Sequence, residues 1–228
     1  MHMDKFNLVF CKFTIDKSID SKSFYADLIR KEYSEIDGWG FSDVDIVDDV
    51  VSATLLKSIT AYYRSWNTET SEMERQSYSM VKEIRFFVDF EKNYLSVEGS
   101  NADMNKIKQA FRSQFWNMFT YEPLTLKPFN YLQIFEKDKI LTKIEEVTIN
   151  DFACGSLLFG RYVAKILSIS ACSKELEEYK ANLIRIKAIL TYHDEQVSLI
   201  VSKNNSLCIY CKDNTKYSFL KYLTSKLY

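Results

Sequence analysis

A hairpin followed by a helix occurs twice in this chain, with an offset of 112 positions. Residues 87–97 and residues 199–209 each read as two strands around a tight turn, at Lys92-Asn93 in the first copy and at Asn204-Asn205 in the second. The helix after each hairpin repeats the same apolar face, formed by Ile107 and Phe111 and by Phe219 and Leu223. Internal repetition of this kind indicates a duplicated architectural unit.

The repeat predicts an α+β fold of two similar halves, each an antiparallel sheet with a C-terminal helix. Residues 121–131 contain both prolines of the chain, Pro123 and Pro128, and proline interrupts regular elements. We therefore place the boundary there, with an N-terminal sheet-helix half at 1–122 and a C-terminal one at 123–228.

Apolar periodicity and turn residues predict the remaining elements. Residues 68–75 are polar and predict an exposed connection, whereas residues 43–51 fit either a strand or a helix. The predicted strands are 6–15, 57–64, 78–90, 94–97, 140–149, 162–169, 184–192, 197–201 and 207–211. The predicted helices are 21–34, 101–119, 174–179 and 215–227.

The composition is that of a folded domain without a membrane segment. Hydrophobic residues make up 46%, and only 5 glycines and 2 prolines interrupt them. No apolar stretch reaches the roughly 18 residues of a membrane helix, and no signal-peptide pattern opens the chain. Five cysteines at irregular spacing argue against a disulfide framework. These features predict a cytoplasmic protein with reduced cysteines and no membrane partner.

Known catalytic and metal-binding patterns are not recognisable. His2 and His193 are the two histidines, and neither has the companions of a nucleophilic triad. Cys208 and Cys211 have zinc-like spacing, but they lie in a predicted strand, where residues three apart point to opposite faces. Neither glycine cluster matches a phosphate-binding loop. We expect a protein that is not an enzyme and that has no metal and no cofactor.

An enzymatic alternative rests on three aspartates. Asp43 and Asp45, one residue apart in a strand, resemble the paired carboxylates that bind magnesium in nucleotidyltransferases, and Asp89 would supply the third ligand. That family also has a Gly-Ser pair about ten residues earlier, whereas the positions around Tyr33-Ser34 contain no glycine. Solvated acidic residues at the edge of a sheet explain the same pattern.

Charge is distributed unevenly along the chain. Residues 1–100 carry 12 Lys and Arg against 18 Asp and Glu, whereas residues 101–228 carry 18 against 13. The two helices of the repeat share a basic character, and one aromatic-rich strand contributes an arginine. The candidate nucleic-acid-binding residues are Lys106, Lys108, Arg112, Lys212, Lys216 and Arg64.

These cations predict binding to the phosphate backbone of duplex DNA, with aromatic rings near Arg64 available to stack on bases. Two alternatives remain open. The lysines can simply solvate the outer faces of amphipathic helices. The chain can also be an adaptor that binds a protein partner or forms a homo-oligomer, through its aromatic surface and its acidic region 35–49.

The segments 84–90, 94–97 and 103–111 carry a family resemblance. Their order resembles that of tandem sheet-helix DNA-binding proteins such as the TATA-binding protein. It is more similar to the Rex-type phage-exclusion protein A and the DNA-binding subunit of the Kiwa defence system. The resemblance implies sequence-tolerant binding of duplex DNA and a role in phage defence. It transfers no binding residue by position, so the candidate residues rest on charge.

Overall fold

A computed structural model of the chain describes residues 3–15, 19–116, 118–154, 158–166 and 176–226. These residues form an α+β fold of eleven strands and four helices. The strands are β1 (Asp4–Ile15), β2 (Trp39–Val47), β3 (Val50–Asn67), β4 (Glu72–Asp89), β5 (Tyr94–Glu98), β6 (Phe119–Pro123), β7 (Leu141–Cys154), β8 (Leu158–Lys165), β9 (Leu183–Tyr192), β10 (Glu195–Ser202) and β11 (Ser206–Cys211). The helices are α1 (Ser21–Arg30), α2 (Asn101–Phe115), α3 (Pro128–Lys137) and α4 (Asp213–Ser225).

The prediction of two halves, each with its own sheet, is wrong, because the eleven strands belong to one sheet. Its order is β2-β3-β4-β5-β1-β11-β10-β9-β7-β8, and β6 also pairs with β1. The strand β1 makes the sheet continuous, since it lies between β5 and β11 in this order. Its first part, Asp4 to Val9, runs antiparallel to β11. Both hairpin-helix segments of the repeat are present locally, and Asn93 and Asn205 both have positive φ in their turns.

Chain contacts divide the molecule into two compact units, one of Cys11–Glu122 and one of Met1–Phe10 with Pro123–Tyr228. In the first unit, α1 and α2 pack their apolar faces together. The ring of Phe24 in α1 lies 4.9 Å from that of Phe115 and 5.3 Å from that of Phe111, both in α2. Phe86 of β4 lies 5.3 Å from Phe111. Burial of these large rings removes apolar surface from water and so stabilises this unit.

In the second unit, β9, β10 and β11 form a meander whose alternate side chains are buried, as a strand with one covered face requires. The helix α4 adds Phe219 and Leu223, both fully buried. The helix α3, absent from the sequence prediction, begins at Pro128. Proline is favoured at the first helical position, because its missing N–H has no helical acceptor there.

The N-terminus of α2 contains a buried carboxylate with several donors. The Ser100 side chain accepts from the Asp103 amide, and the Asp103 side chain accepts in return from the Ser100 amide, which is a capping box. The Lys82 ammonium of β4 lies 2.6 Å from Asp103 and the Lys106 ammonium lies 3.1 Å away. Burial alone would raise the pKa of Asp103, but the hydrogen bonds from Lys82, Ser100 and Lys106 outweigh it and hold the pKa well below its usual value.

Several element boundaries differ from the predictions. The helix predicted to end at 119 stops at Phe115, because Trp116 adopts a left-handed conformation. Residues 43–51 contain a strand end, a turn at Asp48-Asp49 and the start of β3. Residues 68–75 are the end of a long hairpin in which β4 already begins at Glu72. The predicted helix at 174–179 lies partly outside the described residues, as do the last residues of the predicted strand at 162–169.

Within the described ranges, no helix is long and apolar enough to cross a membrane.

Substitution of the buried cap carboxylate should cost measurable stability. Asp103→Asn removes the charge that pairs with Lys82 and Lys106 and leaves a weaker acceptor for the Ser100 amide. We expect a loss of about 1–3 kcal/mol in the free energy of unfolding at pH 7, measured by urea denaturation. The matched control is Asp27→Asn, which breaks an exposed pair with Arg30 and should change stability by less than about 0.5 kcal/mol.

The stability difference between the wild type and Asp103→Asn should depend on pH. Because folding lowers the pKa of Asp103, its carboxylate stabilises the folded state above the unfolded pKa near 4, and this contribution is lost as pH falls through the folded pKa. The difference between the wild type and Asp103→Asn should therefore shrink below about pH 4. A difference that stays constant down to the lowest pH would contradict this account of the cap.

Candidate functional site

The hairpin of β3 and β4 extends beyond the strands on either side of it. The pairing of β2 ends at Lys57 on β3, and the pairing of β5 begins at Phe86 on β4. Residues 58–67 and 72–81 pair with each other through an unbroken antiparallel register, and none of them is buried. We call these two segments, with the turn at 68–71, the arm. All of its residues are described, and it is a two-stranded ribbon with both faces accessible.

The register assigns each arm residue to one of two faces, because residues directly opposite each other point to the same side. One set, here the arginine face, contains Arg64 opposite Arg75 and Tyr62 opposite Ser77. The other set, here the tyrosine face, contains Ala61 opposite Tyr78 and Tyr63 opposite Gln76. The remaining pairs of the arginine face are Ser58–Val81, Thr60–Ser79 and Trp66–Met73, and those of the tyrosine face are Ile59–Met80, Ser65–Glu74 and Asn67–Glu72.

The arginine face has two cations, one pair away from its turn end, and no carboxylate. Like charges directly opposite each other in a ladder are destabilising, so the pairing of Arg64 with Arg75 costs the isolated protein some stability. The Arg75 guanidinium lies 3.9 Å from the centre of the Tyr62 ring, and a cation on an aromatic face offsets part of that cost. Tyr62 is 58% exposed and Trp66 is 59% exposed. The face therefore presents positive charge, hydroxyl groups and open aromatic rings.

The tyrosine face is apolar in its middle and acidic towards the turn. The rings of Tyr63 and Tyr78 lie 6.0 Å apart, and the Tyr63 hydroxyl donates to the Gln76 side chain at 2.5 Å. The Glu74 carboxylate accepts from the side-chain amide of Asn67 at 2.6 Å near the turn. Tyr78 and Met80 are each more than two-fifths exposed. Large apolar side chains exposed side by side are typical of an interaction surface.

The six cations predicted from the sequence lie in different environments. Lys106 is paired with Asp103, and Lys108 lies 4.9 Å from the centre of the Tyr121 ring. Lys212 lies 2.6 Å from Glu195. Lys216 is only 7% exposed, and its ammonium lies 4.0 Å from the centre of the Phe6 ring. The two exposed members of the set are Arg64 and Arg112.

Arg112 borders a shallow groove at the base of the arm. The groove has a volume of about 320 Å³ and is lined by residues of β2, β3 and α2. Its cations are Lys57 and Arg112, beside the ring of Trp39 and the side chain of Gln109. Because Lys57 is the residue before the arm on β3, with the same side-chain parity as Ile59 and Tyr63, the groove continues the tyrosine face.

The three aspartates of the enzymatic alternative do not converge. Within the described residues, no three His, Cys, Asp or Glu side chains gather closely enough to hold a metal ion. A bulge in β2 between Ser42 and Asp45 interrupts the alternation that would place Asp43 and Asp45 on one face. Asp89 is 5% exposed, and its carboxylate accepts from the Lys92 amide in its own turn. The described residues therefore do not form the three-carboxylate site that the enzymatic alternative requires.

The described cysteines are free thiols. Cys208 and Cys211 lie on β11, and Cys211 is buried whereas Cys208 is partly accessible. Burial raises the pKa of the Cys11 thiol to about 11, although nearby Lys108 acts in the opposite direction. A thiol with so high a pKa is protonated at neutral pH and is a poor nucleophile. Cys154 and Cys172 lie outside the described side chains.

Sequence reasoning identified Arg64 and its aromatic neighbours but missed its partners Arg75, Ser77 and Ser79. The polar character of residues 68–75 predicts a connection, and that prediction gives Arg75 no partner on β3. The signal that could have found them is the alternation of Arg75 with Ser77 and Ser79, which places all three on one side of a strand.

No protein-family model matches the chain, and no curated protein matches it. A function for this site therefore rests on its geometry.

Because arm residues do not contribute to the core, their removal should leave the fold intact. We expect a variant in which residues 60–79 are replaced by Asn-Gly to fold, since Ile59 and Met80 are directly opposed and Asn-Gly closes a two-residue hairpin. The free energy of unfolding should change by less than about 1 kcal/mol, because surface changes away from caps and cores have small effects. Urea denaturation followed by circular dichroism measures it, and a truncated protein that fails to fold would show that the arm is structural.

Proposed function

We propose that this protein binds duplex DNA with little sequence preference, through the arginine face of the arm. The observation that carries the proposal is the juxtaposition of Arg64 and Arg75 on a ribbon face that has no carboxylate. Within the described residues, neither arginine forms an ion pair. A phosphate backbone supplies the counter-charge that this arginine pair lacks, and release of condensed counterions supplies the affinity.

The dimensions of the arm fit a duplex. Two paired strands lie about 4.8 Å apart, so with side chains the ribbon is on the order of 10 Å wide. The major groove of B-DNA is about 12 Å wide and accepts a two-stranded ribbon. In that position Arg64 and Arg75 contact phosphates or base edges, whereas Ser77, Ser79 and Thr60 donate hydrogen bonds along the backbone. Few residues on this face distinguish one base pair from another, which supports sequence-tolerant binding.

The contacts of three helix lysines favour the arm over the two helices as the binding surface. Lys106 and Lys212 already have carboxylate partners, and Lys216 is buried against Phe6. Recruiting them to phosphate would break these contacts.

The resemblance also implies a role in phage defence, in which the bound duplex would be phage DNA. Counting plaques on cells that express the wild type or an arginine-face variant tests this role.

The test is a titration of labelled duplex at several salt concentrations with the wild type and Arg64→Gln/Arg75→Gln. Each phosphate contact contributes about 0.9 to the slope of log affinity against log salt, so the double variant should have a slope flatter by about 2. We expect its affinity near physiological salt to fall by at least about tenfold.

The matched control is Lys106→Gln, which removes a cation that is paired with Asp103. It should change duplex affinity by no more than about twofold, because Lys106 lies outside the arm and its charge is already balanced by Asp103. If Lys106→Gln weakens binding as much as the arginine variant, the helices and not the arm form the interface. If the wild type does not bind duplex at low salt, the proposal is wrong.

A Trp66→Ala variant distinguishes binding of duplex DNA from binding of single strands. Stacking of one base on an aromatic ring contributes about 1–3 kcal/mol in single-strand binders. On a duplex, whose bases are already stacked, Trp66→Ala should weaken binding less than Arg64→Gln does. A larger effect of Trp66→Ala, together with tighter binding of single strands by the wild type, would identify the ligand as single-stranded nucleic acid. Fluorescence anisotropy with matched duplex and single-stranded probes measures both affinities.

A further inference from the structure

We propose that the tyrosine face of the arm is a self-association surface, on which a second copy of this chain packs its own arm in the opposite direction. The inference is independent of DNA binding, since it concerns the other face of the ribbon. An isolated two-stranded hairpin is marginally stable in water. This arm adds exposed Tyr63, Tyr78 and Met80 on one side, so packing that side against another surface both stabilises the ribbon and covers its apolar residues.

The occupant follows from the order of charges along the face. At the base, Lys57 and Arg112 line the adjoining groove, whereas Lys82, opposite Lys57, is paired with the Asp103 carboxylate. The middle is the apolar set Ile59, Ala61, Tyr63, Tyr78 and Met80. At the tip, Glu72 and Glu74 lie on this face, and Glu69 lies in the turn. The base is therefore positive, the middle apolar and the tip negative.

This gradient of charge is complementary to the same gradient on a second arm that runs in the opposite direction. In a two-fold dimer the same patch meets its own copy, and residue i of one chain contacts residue j of the other while j contacts i. With the axis near the pair Ala61–Tyr78, the acidic tip of each arm lies over the basic base of the other, and the tyrosines meet at the centre. A parallel arrangement would instead place tip against tip and base against base, which like charges disfavour.

The size of the face predicts a weak dimer. From Lys57 to Asn67 the strand rises about 3.4 Å per residue, which gives roughly 34 Å of length. With a width on the order of 10 Å, the face offers about 350 Å² per copy in projection, below the roughly 800 Å² per partner of a standard stable interface. Association should therefore depend on protein concentration, with monomers at low concentration and dimers at high concentration.

Sedimentation equilibrium over a wide concentration range tests the proposal with a charge exchange. Glu72→Lys places like charges at both ends of the dimer, and so does Lys57→Glu, so each variant alone should associate at least about tenfold more weakly than the wild type. A mixture of the two variants should associate as strongly as the wild type, because each lysine then faces a glutamate. Restoration on mixing is the decisive result, since a mere folding defect in either variant would not be repaired by the other.

Two further variants complete the design. Tyr78→Ser removes apolar area from the centre of the face and should weaken association, with an unchanged far-ultraviolet spectrum showing that the fold persists. Arg64→Gln/Arg75→Gln, on the opposite face, should associate like the wild type even though it binds DNA weakly. A wild type that stays monomeric at every concentration, or variants that do not recover on mixing, would overturn the inference. If Arg64→Gln/Arg75→Gln binds DNA weakly but associates like the wild type, both proposals are supported, because each face is tested separately.

Discussion

The register of β3 against β4 determines the chemistry of the arm. Side chains alternate along a strand with a period of two, so a slip of one residue would move Arg64 to the face of the tyrosines and separate it from Arg75. The arm itself does little to prevent such a slip, because none of its side chains is buried. The register is fixed at the other end of the same strands, where the directly opposed pairs Val51–Val88, Ala53–Phe86 and Leu55–Ile84 are almost completely buried. Packing of these core residues thus determines which arm residues share a face, although the arm is not part of the core.

The contact between Lys82 and Asp103 links the base of the arm to α2. Lys82 is the first residue of β4 beyond the arm, and Asp103 is the third residue of α2 and belongs to its capping box with Ser100. Each carboxylate oxygen of Asp103 accepts from two groups, Oδ1 from the Lys82 and Lys106 ammoniums and Oδ2 from the Ser100 amide and hydroxyl, and these contacts fix its position. The base of the arm is therefore held on both strands. Lys82 anchors β4, and on β3 the backbone N–H of Ser58 donates to the Gly38 carbonyl at 2.7 Å.

The sequence was most informative where one face of an element is buried. The hairpin and helix near 87–111 and their counterparts near 199–223 were found because apolar residues recur at strand and helix spacing. The hairpin of β2 and β3 was missed because its turn uses Asp48-Asp49, both at positive φ, without the glycine that usually marks such turns. The arm was partly missed because a ribbon without a buried face has no apolar alternation. The single sheet depends on pairing between residues such as Phe10 and Asn205, which lie 195 positions apart and leave no local pattern.

The separation of a buried register from an exposed arm has a consequence for how this protein can change over time. Substitutions among Val51, Ala53, Leu55, Ile84, Phe86 and Val88 alter the core, and the penalty for cavities or overpacking there is several kcal/mol. Substitutions among the arm residues meet no such penalty, since their side chains contact mostly solvent. The arm can therefore acquire new binding preferences, one face at a time, while the fold that supports it stays under strong constraint.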